Sequence, residues 1–174
     1  MNEREMLGRV LTLAEEAYIL PSSEVAYSPA AAEACRQNYC GRYGKSWSCP
    51  PAGGGEGMLE AVKARFAHAL LFSTVHSLEN SYDIEGMDRA REAHTRVQDE
   101  VISACGLDDC AAFGAGSCTV CRSCTYPTAP CRFPERMRRA VESLGVEVTA
   151  LCAKTGLLYH HGENTVTYFS LIFF

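Results

Sequence analysis

Between residues 3 and 18 the apolar side chains Met6, Val10, Leu11, Leu13, Ala14, Ala17 and Tyr18 recur at helical spacing, and Pro21 closes the pattern. This predicts an amphipathic N-terminal helix within residues 1–21. From 22 to 57 the periodicity disappears. Cys35, Cys40 and Cys49 lie there among Gly, Pro, Ser and Tyr, and Pro50-Pro51 with Gly53-Gly54-Gly55 forbids a long regular element. The segment reads as a first cysteine loop. A helix is then predicted over about 58–66, and Ala69-Leu70-Leu71-Phe72-Ser73-Thr74-Val75 reads as a buried strand.

Met87, Ala90, His94, Val97, Val101 and Ala104 fall on one face of a helix over 86–104, stopped by Gly106. With the strand before it and the short apolar run 110–115 after it, this helix makes a β-α-β unit, whose crossover brings the two strands parallel in one sheet. A second cysteine loop, 116–134, begins where the second strand ends, and α/β proteins hold ligands at such carboxyl ends. Pro134 is expected to open another helix, with Met137, Ala140, Val141 and Leu144 inward and Gly145 as its stop. Residues 146–157 fit either a strand or a short helix. The run Thr165–Phe174 is apolar on both faces and β-rich, the pattern of an interior strand. The fold class expected is α/β, with α+β as the alternative: one domain over 1–174, a small mixed sheet with flanking helices and two cysteine-rich metal-binding loops.

A chain of 174 residues can bury a core without staples, so metal is expected to serve function as well as structure. No stretch of about 18 apolar residues could span a bilayer. The polar start Met1-Asn2-Glu3-Arg4-Glu5-Met6 does not resemble a secretory signal. A cytoplasmic protein is expected, where thiols bind metals more often than they form disulfides. The net charge of −5 counts against a nucleic-acid partner, and no membrane partner is expected. Basic residues nevertheless cluster in or just beyond the cysteine runs: Arg36, Arg42, Lys45, Arg122, Arg132, Arg136, Arg138 and Arg139. Cations there offset thiolate charge, unless they are simply a solvated surface.

The chemistry rests on cysteine spacing. Cys118, Cys121 and Cys124 stand at i, i+3 and i+6, and Cys131 follows after six residues. Three such thiolates can take three corners of an iron–sulfur cubane, with a later cysteine on the fourth. The bacterial ferredoxin run has three residues before its last cysteine and a proline directly after it; here the proline is Pro134, which leaves Cys131 free to serve this cluster or another. Zinc ribbons use two separated cysteine pairs, which three evenly spaced cysteines match poorly. Cys35, Cys40 and Cys49 supply only three ligands for a second cluster. Its fourth is sought among Cys152, Cys110, Cys105 and the histidines, with Cys152 favoured because Leu151 and Ala153 flank it in structured sequence. With no fourth ligand, one iron would be open to water or substrate.

Other residues carry weaker alternatives. Trp47, Tyr39 and Tyr43 either shield a cluster or pack a loop. His160-His161 reads as a solvated turn, and His68, His76 and His94 have no metal-ligand spacing. Gly114-Ala115-Gly116 either brings backbone amides close to the second site or makes a plain turn. No Walker, Rossmann or G-x-S-x-G signature is present.

The stretch from Cys35 to Pro51, CRQNYCGRYGKSWSCPP, resembles the hallmark of a prokaryotic family of predicted metal-binding proteins, domain of unknown function 2284. Gly116-Ser117-Cys118 through Pro134, and Gly145-Val146-Glu147-Val148, are similar to the same family. The resemblance implies a cysteine-rich metalloprotein of anaerobic or redox-flexible metabolism, with no established reaction. The expected function is electron transfer by a 4Fe–4S cluster at Cys118, Cys121, Cys124 and Cys131, and by a second at Cys35, Cys40, Cys49 and Cys152, serving a redox partner protein. The alternatives are an enzyme with an open iron at the first run, or a zinc-stabilised interaction module.

Overall fold

The computed structural model describes residues 1–174. Helix α1 (Glu3–Val10) leads into strand β1 (Glu16–Pro21), a 3-10 turn and α2 (Pro29–Arg36). Then come α3 (Glu56–Arg65), β2 (His68–Ser77), α4 (Ile84–Cys105) and β3 (Ala111–Gly114). After the second cysteine loop the chain forms a 3-10 turn (Pro134–Arg136), β4 (Arg139–Ala140), another 3-10 turn (Val141–Leu144), α5 (Val148–Thr155) and β5 (Thr165–Phe173).

The strands make one mixed sheet in the order β1-β2-β5-β3-β4. Leu171 of β5 lies opposite Leu71 of β2 on one side and Phe113 of β3 on the other, both antiparallel. Strands β2 and β3 therefore run parallel to each other, as the crossover through α4 requires, with β5 laid between them. β5 is the interior strand its two-faced apolar sequence predicts. Leu70, Phe72 and Ile172 point to one face and meet Met6 and Val10 of α1 and Val101 of α4. Ala69, Leu71, Leu171 and Phe173 point to the other and meet Leu59, Val141, Leu144 and Leu151. The result is a mixed α/β fold with apolar layers on both faces of the sheet.

Three predicted elements are corrected. The N-terminal helix ends at Val10, and residues 16–21 pair as an antiparallel edge strand with β2, Glu16 opposite Ser73 through Pro21 opposite His68. Ala17 and Ile19 pack on one face and Leu20 on the other, a strand alternation that the helical reading absorbed. Pro21 is tolerated because it ends an edge strand. Within the first loop, α2 is regular: Ser28 Oγ accepts from Ala31 N–H at 3.2 Å and Pro29 opens the first turn. The helix expected after Pro134 is replaced by two 3-10 turns around β4, because Arg139 and Ala140 pair in parallel with Phe113 and Gly114. Gly145 does stop the second turn, in the left-handed region at φ 72, and a side chain there would run into the Tyr27 ring. Residues 146–157, ambiguous in sequence, are mainly α5.

Candidate metal centres

Strands β3 and β4 are parallel, and both cysteine groups lie at or beyond their carboxyl ends. The chain leaves β3 at Gly114 and enters the second cysteine loop, which is tied together locally. Thr125 Oγ1 donates to the Pro130 carbonyl at 2.8 Å, Ala129 N–H to the Thr125 carbonyl at 3.0 Å, and Arg132 to the Ser123 carbonyl at 2.9 Å. These bonds fold the loop so that Cys118, Cys121, Cys124 and Cys131 line one cavity. The first loop supplies the rest of its wall, Ser46, Trp47 and Ser48. Trp47 Nε1 donates to the Ala129 carbonyl at 3.0 Å, and its ring meets Tyr126 edge-on at 4.9 Å. Trp47 therefore packs over the second cysteine group.

Burial works to raise the Cys124 thiol, but the backbone N–H groups of Trp47, Tyr126 and Thr125 and the Ser46 hydroxyl outweigh it and hold the thiol below its ordinary range. Donors converging on sulfur favour the thiolate, the form that binds metal.

The first group is organised by the turn Val141–Leu144. Cys35, on the last turn of α2, directs its Sγ to the Glu142 carbonyl at 3.7 Å. Gly55 N–H donates to the Ser143 carbonyl at 2.7 Å, and a side chain on Gly54 (φ 123) would strike that same carbonyl. The loop between closes on itself, with Gly44 N–H on the Pro50 carbonyl at 2.8 Å and Tyr43 N–H on Asn38 Oδ1 at 2.9 Å. Cys35, Cys40 and Cys49 consequently line one hollow of ≈ 530 Å³. Arg42, Asp88, Arg91, Glu142 and Tyr168 share its wall. Burial raises the Cys35 thiol, and the negative charges of Glu142, Cys40 and Cys49 add to the effect. Burial also raises Cys49, against the opposing Ser48 hydroxyl and Arg42.

No fourth cysteine borders that hollow. Cys152 lies in the core beneath the sheet at 3% exposure, packed with residues of α3, α5 and β5. Burial, then the Glu16 carboxylate, pushes its thiol up to about 11. Cys105 and Cys110 belong to the opposite apolar layer, and burial raises both. The structure thus divides the cysteines into four around one cavity, three around another and three in the core. No three Cys, His, Asp or Glu side chains converge closely enough to hold a single bare ion.

Arg42, Lys45 and Arg122 rim a surface depression beside Cys118, Cys121 and Cys124. Arg138 instead makes a two-pronged pair with Asp99 on α4, at 2.7 and 2.8 Å, and Arg36 pairs with Glu33. Tyr43 borders the first hollow, whereas Tyr39 is 89% exposed. Gly116 borders the first hollow, against the Arg91 side chain. His161 faces Glu16 and Thr167, and His94 is sealed between α4 and the sheet. Sequence reasoning missed Asp88, Arg91 and Tyr168, which only the α4–β5 packing brings to the hollow. It also missed Ser46 and Ser48, whose sign was in plain view: two hydroxyls flanking Trp47 inside a cysteine run.

A mixed α/β scaffold presenting two groups of thiols defines a cysteine-rich metal-binding protein. The chain belongs to the DUF2284 family of predicted metal-binding proteins, whose profile matches residues 18–174. Comparison with curated proteins and with solved structures found no match.

Proposed function

We propose that the chain is an iron–sulfur protein that transfers electrons through a 4Fe–4S cluster held by Cys118, Cys121, Cys124 and Cys131. The observation that carries this reading is that these four thiols line one cavity, with backbone N–H donors and a serine hydroxyl trained on Cys124. The donor set fits the group: a cubane takes one thiolate on each of four separate irons, and hydrogen bonds to sulfur tune its potential. A single zinc would require four sulfurs about 2.3 Å from one point, so thiols standing around a space favour the cluster. The cluster would supply one-electron exchange. The chain's own residues hold the thiolates, offset their charge and exclude water with Trp47 and Tyr126.

A second reading is favoured at the first group. Cys35, Cys40 and Cys49 make a three-thiol site with no fourth cysteine on its hollow, so a cluster held there would keep one iron open beside Arg42, Arg91 and Tyr168. We assign this site a cluster that accepts a small ligand or exchanges electrons with the first. The basic rim of Arg42, Lys45 and Arg122 suits a redox partner protein with an acidic face. No helix is long and apolar enough to cross a membrane, and all ten cysteines are free thiols, which suits a reducing cytoplasm.

The test is anaerobic purification with iron, acid-labile sulfide and zinc counted on one sample. About eight irons and eight sulfides per chain are expected for two cubanes, and about four for the second group alone. Stoichiometric zinc without sulfide overturns the reading.

A further inference from the structure

The segment Ser46-Trp47-Ser48 is the wall between the two cysteine groups, and its two hydroxyl-bearing residues are only 5% and 1% exposed. Ser48 Oγ lies 3.7 Å from Cys49 Sγ and 2.8 Å from Ser46 Oγ. Ser46 Oγ in turn hydrogen-bonds the Cys124 sulfur and also reaches Cys49. Both oxygens already accept a backbone N–H: Cys118 N–H donates to Ser48 Oγ at 3.2 Å, and Ser48 N–H donates to Ser46 Oγ at 3.2 Å. A continuous hydroxyl path therefore joins a sulfur of the first group to a sulfur of the second.

Each hydroxyl has one hydrogen to donate. The acceptors within reach are three: Cys49 Sγ, Cys124 Sγ and the other hydroxyl. The pair cannot satisfy all of them at once, so its hydrogens divide between the two sites. With Ser46 donating to Ser48 and Ser48 to Cys49, the donors point at the first group. With Ser48 donating to Ser46 and Ser46 to Cys124, they point at the second.

We propose that Ser46 and Ser48 form a rotating hydrogen-bond switch that couples the charge states of the two metal sites. The proposal rests on the two-cluster reading above. When an external one-electron reductant delivers an electron to the second site, the hydroxyls turn toward Cys124, whose sulfur has become the more negative. Cys49 then loses a donor, and loss of a hydrogen bond to sulfur makes reduction of its site harder. Both hydrogens stay on their own oxygens; only the O–H directions change. Ser46 and Ser48 are positioning residues, since they touch sulfur and not the metal.

The experiment is an EPR-monitored redox titration of anaerobically prepared wild-type, S46A and S48A proteins, with iron and sulfide counted on each sample. The C40S and C121S proteins, each lacking a ligand of one site, assign the signals. S46A leaves the Ser48 hydrogen no acceptor but Cys49. The second site's potential is expected to fall and the first site's to rise. S48A should give the mirror pattern, and S46T, which keeps the hydroxyl, should restore wild-type values. Should S46A fail to retain both clusters, S48A and S46T carry the comparison. Potentials that do not move, that move at one site only, or that move in the same direction at both overturn the coupling while leaving the two-cluster reading intact. Iron and sulfide for fewer than two clusters in the wild-type protein overturn the two-cluster reading, and the coupling with it.

Discussion

Cys152 and Cys124 share a side chain and have opposite surroundings. Cys152 is enclosed by apolar side chains and stays a neutral thiol, held at about 11, whereas Cys124 receives N–H donors from its own loop and from Trp47. C124S is expected to lose about four irons per chain, the content of one cubane. C152S should keep the wild-type iron and sulfide content and instead cost about 1–3 kcal/mol of stability, because a hydroxyl there lacks the polar partner it needs. Metal counts and urea unfolding of both proteins check this pair. Spacing made the second group legible, but the position of Cys152 was not, since a cysteine flanked by apolar residues reads alike as ligand and as core. A second residue-scale prediction concerns His94, whose ring nitrogens face the Thr74 and Ser170 hydroxyls, each at 2.8 Å. Burial, with repulsion from His76 added and a backbone hydrogen bond at Phe169 opposing, lowers it from 6.5 to about 4. Between those values the unfolded chain binds more protons, so stability falls as pH drops from 6.5 toward 4, by about 3 kcal/mol in all. Urea midpoints at pH 7 and pH 5 should separate clearly for the wild-type protein. In H94Q the separation should shrink, from a lower starting stability.

At the scale of elements, those with strong local punctuation were readable. Helix α4 has Asp83 at its N-cap, accepting from Gly86 N–H at 2.8 Å, and Gly106 in the left-handed region at its end. Strands β2 and β5 show as apolar runs because both of their faces are covered. What escaped the sequence is what pairing decides. Leu13, Ala14 and Ala17 satisfy a helical period, yet antiparallel pairing with β2 makes a strand of residues 16–21. Met137, Ala140, Val141 and Leu144 satisfy it again, yet two ladder positions against β3 break the run into turns. Helix α2 was readable from Ser28-Pro29 and the alanines after it, but the surrounding cysteines and glycines pulled the whole segment toward loop. The first metal site depends on three such elements meeting: α2 for Cys35, the Gly53–Gly55 stretch, and the turn Val141–Leu144. Gly54 is the tightest point, because its conformation (φ 123) disfavours any side chain and a Cβ would strike the Ser143 carbonyl. G54A is therefore expected to cost about 1–3 kcal/mol and to reduce metal at the first site while sparing the second. Iron counts of G54A in the C121S and C40S backgrounds separate the two sites.

For the molecule as a whole, the apolar core and the metal loops are different kinds of structure. The core joins α1 and α4 on one face of the sheet and α3, α5 and the Val141–Leu144 turn on the other, and it is built almost wholly from aliphatic and aromatic side chains. The cysteine loops add to the buried set only Ser46, Ser48 and Cys49. Small metal modules that lack such a core unfold when the metal leaves, because binding free energy and folding free energy are then the same quantity. Here the sheet has its own source of stability, and metal is needed only to close the loops over their sulfurs. Stripping metal with chelator under reducing conditions should therefore leave amide protection in β2, β5 and α4 nearly unchanged. It should be lost at Cys118, whose N–H rests on Ser48 Oγ, and at Gly53, whose N–H rests on the Cys49 carbonyl at 2.9 Å. A protease should then cut first within residues 117–133. Hydrogen exchange followed by peptide gives the decision. Protection that disappears from the central strands together with the loops would mean that the metal sites and the sheet form one cooperative unit, whereas loss confined to the loops would mark them as a clamp mounted on an independently stable α/β scaffold.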